Sequence, residues 1–159
     1  MNCCVTDPLP LLQALIRCPS VTPEEGGALG VLEAALVPLG FTCTRLKFAE
    51  VDNLFARRGK YGPHFCYAGH TDVVPVADQA WDSDPFTLTE CGSRLVARGT
   101  SDMKSYLAVA LALVPHWAKM GLAKPIWLAF SHDEEIGCLG AAPMARQMQE
   151  AEIDPSLVI

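Results

Sequence analysis

Three short stretches of this 159-residue chain carry residue types that do metal and hydrolytic chemistry. Gly69-His70-Thr71-Asp72 sets an imidazole and a carboxylate two residues apart, and in extended chain residues i and i+2 point the same way. A carboxylate beside an imidazole accepts its N–H, fixes the tautomer and aims the other nitrogen at a metal. Arg98-Gly99-Thr100-Ser101-Asp102-Met103-Lys104 puts Asp102 at the opening of an apolar helix, where Asp is also a favoured N-cap. Asp133-Glu134-Glu135 follows an apolar stretch directly. One imidazole with several carboxylates suits Zn²⁺ or a similar divalent ion. A bridging carboxylate is how a two-metal site holds ions ~3.5–4 Å apart. Adjacent glutamates point in different directions, so one of Glu134 and Glu135 can bind metal while the other takes a proton from water.

The elements around these stretches predict where they sit. Asp7–Cys18 and Glu24–Leu39 read as helices, with Leu11, Leu12, Leu15 and Ile16 on one face of the first and Leu29, Leu32, Leu36 and Leu39 on one face of the second. Pro19 and Pro23 end the first, and Gly40 ends the second. Phe41–Phe48 alternates like a strand, Leu54–Arg57 is a second short strand, and residues 58–62 are turn chemistry. His64–Ala68 and Pro125–Ser131 fit buried strands, and Val73–Val76 carries the apolar pattern on to a proline. Gln79–Glu90 reads as loop and Arg94–Ala97 as a short strand. Met103–Trp117 is apolar nearly all round, as in a buried helix, and Gly140–Ala151 is a further helix. Ser156–Ile159 opens one more strand. Uniformly apolar strands alternating with helices predict an α/β layer fold with a mainly parallel, twisted sheet. In such sheets ligands bind at the carboxyl ends of strands, and all three chemical stretches fall there.

Composition removes whole classes of function. Half of the chain is apolar and 19% is charged, which excludes intrinsic disorder. A net charge of −6 without Lys or Arg clusters argues against nucleic acid as a partner. The seven cysteines form no C-x-x-C clip and read as reduced thiols of a reducing compartment. The N-terminus lacks a signal-peptide pattern, and the longest apolar stretch, Tyr106–Pro115, is too short for a membrane span. A soluble, cytoplasmic protein is expected.

The strings GHTDVVP, W-x-x-x-PF, RGTSDMK and DEEIG together resemble the signature blocks of the co-catalytic zinc amidohydrolases, and the likeness runs over essentially the whole chain. That family includes acetylornithine deacetylase, succinyl-diaminopimelate desuccinylase, aminoacylases and related carboxypeptidases. From Pro8 to Pro75, including LIRCPSVTPEEGG, PLGFTC and VDNLFARRG, the chain is similar to the desuccinylase. From Trp81 onward, including DPFTLTE and LAFSHDEEIGCLGA, it looks more like the deacetylase. The resemblance implies a zinc-exopeptidase-like catalytic domain and a role for each residue. His70 would bind one zinc, Asp102 would bridge two, and Glu135 would bind the second. Asp72 would orient His70, and Glu134 would be the general base and then the acid. The implied reaction is hydrolysis of the N-acyl amide of an amino acid, such as N-acetylornithine or N-succinyl-diaminopimelate, with Zn²⁺ or Co²⁺ as cofactor.

Two departures accompany the likeness. Ala97 and Ser105 stand where the family has glycine, which bears on packing around Asp102. The chain also ends within an apolar run, so residues 1–159 are expected to be one partial catalytic domain. The family's later Glu and His ligands, most substrate-binding residues and the dimerisation domain that makes a homodimer would be absent. Three family ligands remain, against five for two ions. Three functions therefore compete: the amidohydrolase, a metal-binding but catalytically silent fragment, and an inert piece that associates through open sheet edges. His132 is expected to be a surface side chain, and His64 and His116 to have no special role. Trp81, Pro85 and Phe86 are expected to pack a loop. Lys104 would steady nearby carboxylates or face solvent.

Overall fold

The computed structural model describes residues 6–59, 64–120, 126–150 and 155–159. Helix α1 (Leu9–Ile16) starts behind Pro8, and the Leu9 N–H donates to Asp7 Oδ1 at 3.0 Å. Its buried residues are Leu12, Leu15 and Ile16. Helix α2 (Ala28–Leu36) starts four residues later than its leucine spacing predicts, because Gly26 and Gly27 take left-handed φ values of 61° and 89°. A Cβ on Gly26 would run into the Pro19 carbonyl, so the two glycines form a close turn before the helix can begin. Pro38 tightens the other end, and Val37–Leu39 is a single 3₁₀ turn stopped at Gly40.

Strands β1 (Thr42–Phe48) and β2 (Val51–Arg58) form an antiparallel hairpin through Ala49 and Glu50. Strand β3 (His64–His70) runs two residues beyond the expected Ala68 and ends on His70 itself. Strands β4 (Thr89–Cys91) and β5 (Arg94–Val96) make a separate two-stranded hairpin, so the end of the expected Gln79–Glu90 loop is strand. Three-residue strands are too short to show a period in sequence. Helix α3 (Lys104–Lys119), strand β6 (Ile126–Ser131), helix α4 (Ala141–Glu150) and strand β7 (Pro155–Val158) complete the order. The expected starts and ends at residues 60–62, 125 and 151 lie outside the described residues. Of the Val73–Val76 stretch, Val73 forms one isolated parallel bridge, to Val21.

The main sheet has the order β1-β2-β6-β3-β7. β6 runs parallel to β3 and β3 to β7, while β2 is antiparallel to both of its neighbours. Four strands thus point the same way and β2 alone opposes them, so the sheet is mainly parallel with one reversed strand. The alternation along β6 divides the core. Leu128 and Phe130 join Leu54 and Ala56 under α1, α2 and α3, whereas Trp127 and Ala129 join Phe55 and Cys66 under α4. The five described cysteines are unbridged, and Cys3 and Cys4 lie outside the described residues. Among the described residues, no helix is long and apolar enough to cross a membrane.

Candidate metal centre

His70 and Ser131 end β3 and β6 as paired neighbours, so the two segments that follow leave the sheet at one rim. The His70 N–H donates to Met103 Sδ at 3.2 Å, which brings the start of α3 to the same place. The Asp102–Met103 peptide is cis. Met103, not Asp102, holds the N-cap position of α3, and no side chain caps that helix.

The imidazole of His70 is buried between two acids. Its Nδ1 lies 3.0 Å from the Asp72 carbonyl oxygen and 3.5 Å from Asp72 Oδ1. Its Nε2 lies 2.9 Å from Asp102 Oδ1 and 3.8 Å from Glu134 Oε2. One ligand atom from each of His70, Asp102 and Glu135 falls within 4.8 Å of the others. Asp102 is 69% exposed, so this group opens to solvent on its side. Asp72 is fully buried, and its Oδ2 accepts the Glu135 N–H at 3.1 Å. Residues 70, 72, 102, 134 and 135, up to 65 positions apart, are thus drawn into one cluster.

The electrostatics follow from that crowding. Burial alone would deprotonate His70, but the Asp72 and Asp102 carboxylates outweigh it and raise its pKa to about 9. Burial also works against the Asp72 carboxylate, yet the imidazole and the Glu135 N–H hold it below its usual value. Glu135 is pushed up, first by burial and then by the Asp102 carboxylate beside it. One imidazole thus faces four carboxylates, and Asp72 Oδ1 is buried without a hydrogen-bond partner. This donor set, nitrogen plus carboxylate oxygen with excess negative charge, fits a divalent cation taking the place of the Nε2 proton.

Two side chains stand elsewhere than expected. His132 is buried, 1% exposed, with Nε2 3.2 Å from the Pro23 carbonyl oxygen. Lys104 has no exposure, and its ammonium donates to the carbonyls of Leu15 (2.9 Å) and Cys18 (2.8 Å). Both find main-chain oxygens from distant segments, which local sequence cannot foretell. Sequence reasoning also missed Asn53. It is buried in β2, where Nδ2 donates to Gly140 O at 3.1 Å and Oδ1 accepts the His132 N–H at 3.0 Å. Its only signal is an amide inside an apolar strand. Thr22, whose Oγ1 donates to Asp133 Oδ1 at 2.7 Å, stood out only as part of the LIRCPSVTPEEGG block and had no role assigned. The Trp81 ring lies under the Arg98 guanidinium at 5.1 Å, a contact from its loop to the segment after β5.

A cavity of about 560 Å³ adjoins the centre, and its lining includes His70, Glu134, Met103, Met144 and Met148.

Known proteins are similar to this chain. The succinyl-diaminopimelate desuccinylase of Parvibaculum lavamentivorans is 52% identical over 135 residues, covering 81% of this chain and 34% of that protein. The desuccinylase of Maricaulis maris is 50% identical, over 82% and 34% respectively. The chain thus spans about a third of the length of the curated relatives it matches. Among solved structures, an M20 family metallo-carboxypeptidase from Sulfolobus solfataricus superposes with a TM-score of 0.85 at 25% identity, over 97% of this chain and 37% of that one. Residues 66–159, which hold all five site residues, match the model of peptidase family M20/M25/M40, and the chain belongs to that family.

Proposed function

We propose that this chain carries the metal-binding half-site of an amidohydrolase that removes the succinyl group from an N-succinyl amino acid, N-succinyl-diaminopimelate being the substrate its relatives' names point to. The observation that carries the reading is the meeting of His70, Asp102 and Glu135 within 4.8 Å, with the Glu134 carboxylate 3.8 Å from the same imidazole. His70, Asp102 and Glu135 would hold the cation, zinc being the ion this donor set favours. When bound, the cation supplies the positive charge that polarises the acyl oxygen and lowers the pKa of water.

The chain's own residues do the remainder. Asp72, through its carbonyl and carboxylate, keeps the Nδ1 proton of His70 in place and leaves Nε2 to the cation. Glu134 takes one proton from water as the oxygen bonds to the acyl carbon. It returns that proton to the amide nitrogen as the carbon–nitrogen bond breaks, and the second water proton passes from the new carboxyl group to the amine, giving a carboxylate and an ammonium ion. The relative covering 81% of the chain is a desuccinylase, which favours the succinyl over the acetyl group of the deacetylase reading.

A second reading rests on the ligand count. Three protein ligands suffice for a single tetrahedral ion with one open position, so the isolated chain would bind zinc without turning over. Calorimetry with Zn²⁺, and amine release from N-succinyl-diaminopimelate and N-acetylornithine, separate the two. Glu134→Gln should keep metal binding and lower hydrolysis by about 10²–10⁴-fold. Zinc binding equal in His70→Ala and wild type would end both readings.

A further inference from the structure

The segment Cys18–Pro23, between α1 and α2, is bonded to all three chemical stretches. Towards the first, Ser20 Oγ donates to Thr71 O at 2.7 Å, the Val73 N–H donates to Ser20 O at 2.9 Å, and the Thr22 N–H donates to Val73 O at 3.1 Å. Towards the second, the Lys104 ammonium reaches back to Cys18 O. Towards the third, Thr22 Oγ1 donates to Asp133 Oδ1, and His132 Nε2 meets Pro23 O. Ser20, Lys104, His132 and Asp133 are all buried at these contacts.

The Thr22–Asp133 bond bears most directly on the carboxylates of the centre. Asp133 has a φ of 58°, a left-handed conformation that is uncommon for L-residues and that Asp takes more readily than most. Asp133 O accepts the Leu139 N–H at 3.0 Å, and the Glu135 N–H is held by Asp72 Oδ2. The turn is therefore held at the Asp133 side chain, which also meets His132 Nε2 at 3.4 Å, at the Glu134 carbonyl, which accepts the Gly137 and Cys138 N–H groups, and at the Glu135 backbone. The Thr22 hydroxyl ties the first of these points to the strap.

We propose that Thr22 is a positioning residue for the metal centre: its hydroxyl locks the buried Asp133 carboxylate, and so fixes the turn that carries Glu134 and Glu135 to His70. This rests on the metal-centre reading above. Thr22 touches neither cation nor substrate and acts through Asp133. The strap formed by residues 18–23 makes the N-terminal part of the chain a component of the site.

Thr22→Val removes the hydroxyl at nearly equal volume. Two quantities are read: zinc affinity by calorimetry, and hydrogen exchange of the Glu135 and Leu139 amides in the metal-free chain. Thr22→Val should weaken zinc binding by about tenfold, and both amides should exchange about tenfold faster. The β6 amides and the thermal midpoint should stay as in wild type, and Thr22→Ser should restore both readouts. Thr22→Ala gives the same comparison should valine fail to fold. Unaltered exchange at Glu135 and Leu139 overturns the proposal, as does faster exchange with unaltered zinc affinity, or faster exchange throughout the sheet. A wild-type chain that binds no zinc overturns the metal reading instead, and exchange alone then decides whether Thr22 holds the turn.

Discussion

The two faces of the main sheet are covered very differently. On one, α1, α2 and α3 pack Leu15, Ile16, Leu29, Leu32 and Leu107 against Leu54, Leu128 and Phe130, with essentially no exposure. On the other, among the described helices, α4 packs Met144 and Met148 against the cluster of Phe55, Cys66, Trp127 and Ala129, and the 560 Å³ cavity is lined by residues of α4 together with His70 and Glu134. A close-packed face transmits strain and holds position, whereas a face with room admits a reacting group. The candidate metal cluster lies at the rim of this sheet. His70 ends β3, whose Tyr67 packs against the closed-face core, while the imidazole and Glu134 border the cavity. Rigidity and access thus come from opposite sides of one layer.

The contrast can be broken most forcefully in the cores themselves. Leu29→Ala on the closed face should cost about 2–5 kcal/mol in urea unfolding, from lost transfer energy plus a new void. Met144→Ala on the open face should cost about 1–2 kcal/mol, because the space it leaves merges with one that already exists. Equal losses would mean that both faces are equally packed.

Next in size is Gly140→Ala, at the junction of the two faces. A Cβ there would overlap the His132 carbonyl and the Asn53 amide oxygen, so either the Asn53 clamp or the backbone must move. The expected loss is about 1–3 kcal/mol in the same unfolding measurement, and a variant as stable as its parent would show that the clamp yields freely.

Smallest in energy is the reactivity of Cys66, which lines the cavity yet is only 1% exposed. Burial pushes this thiol from an ordinary value near 9 up to about 11. Between those values the folded chain keeps a proton that the unfolded chain releases. The thiol's support for the fold is therefore whole below pH 9 and is lost as pH rises through 11. At pH 8, iodoacetamide should label exposed Cys91 and spare Cys66 until urea unfolds the chain, as read by peptide mass mapping. Prompt native labelling of Cys66 would show water reaching β3 and would narrow the difference between the faces.

Much of the centre was legible because chemistry and position coincide in the sequence. His70 and the acids at 133–135 each follow a buried apolar run, and runs of that kind become adjacent parallel strands. Asp102 was legible through the apolar helix it precedes. The helix bounds were harder, since Gly26 and Gly27 delay α2 through backbone angles that leucine spacing does not encode. Lys104 and His132 were misread for a related reason. A buried polar side chain is tolerable only with partners, and theirs are carbonyls of residues 15, 18 and 23, which no local pattern connects to them. Ser20 and Thr22 lay in a stretch that reads as a proline-bounded connector, and only the fold brings it against the acids.

The single reversed strand has an effect that its parallel neighbours could not produce. Because β2 runs against β6, Leu54 pairs with Phe130, and the residue before it arrives level with the end of β6. A strand beginning, rather than a strand ending, thus delivers Asn53 to the rim where the acids leave the sheet. The pairing of β2 with β6 sets that level. A slip of one residue between those two strands would turn Asn53 to the opposite side of the layer, so the register of one antiparallel pair keeps a distant carboxylate turn in place.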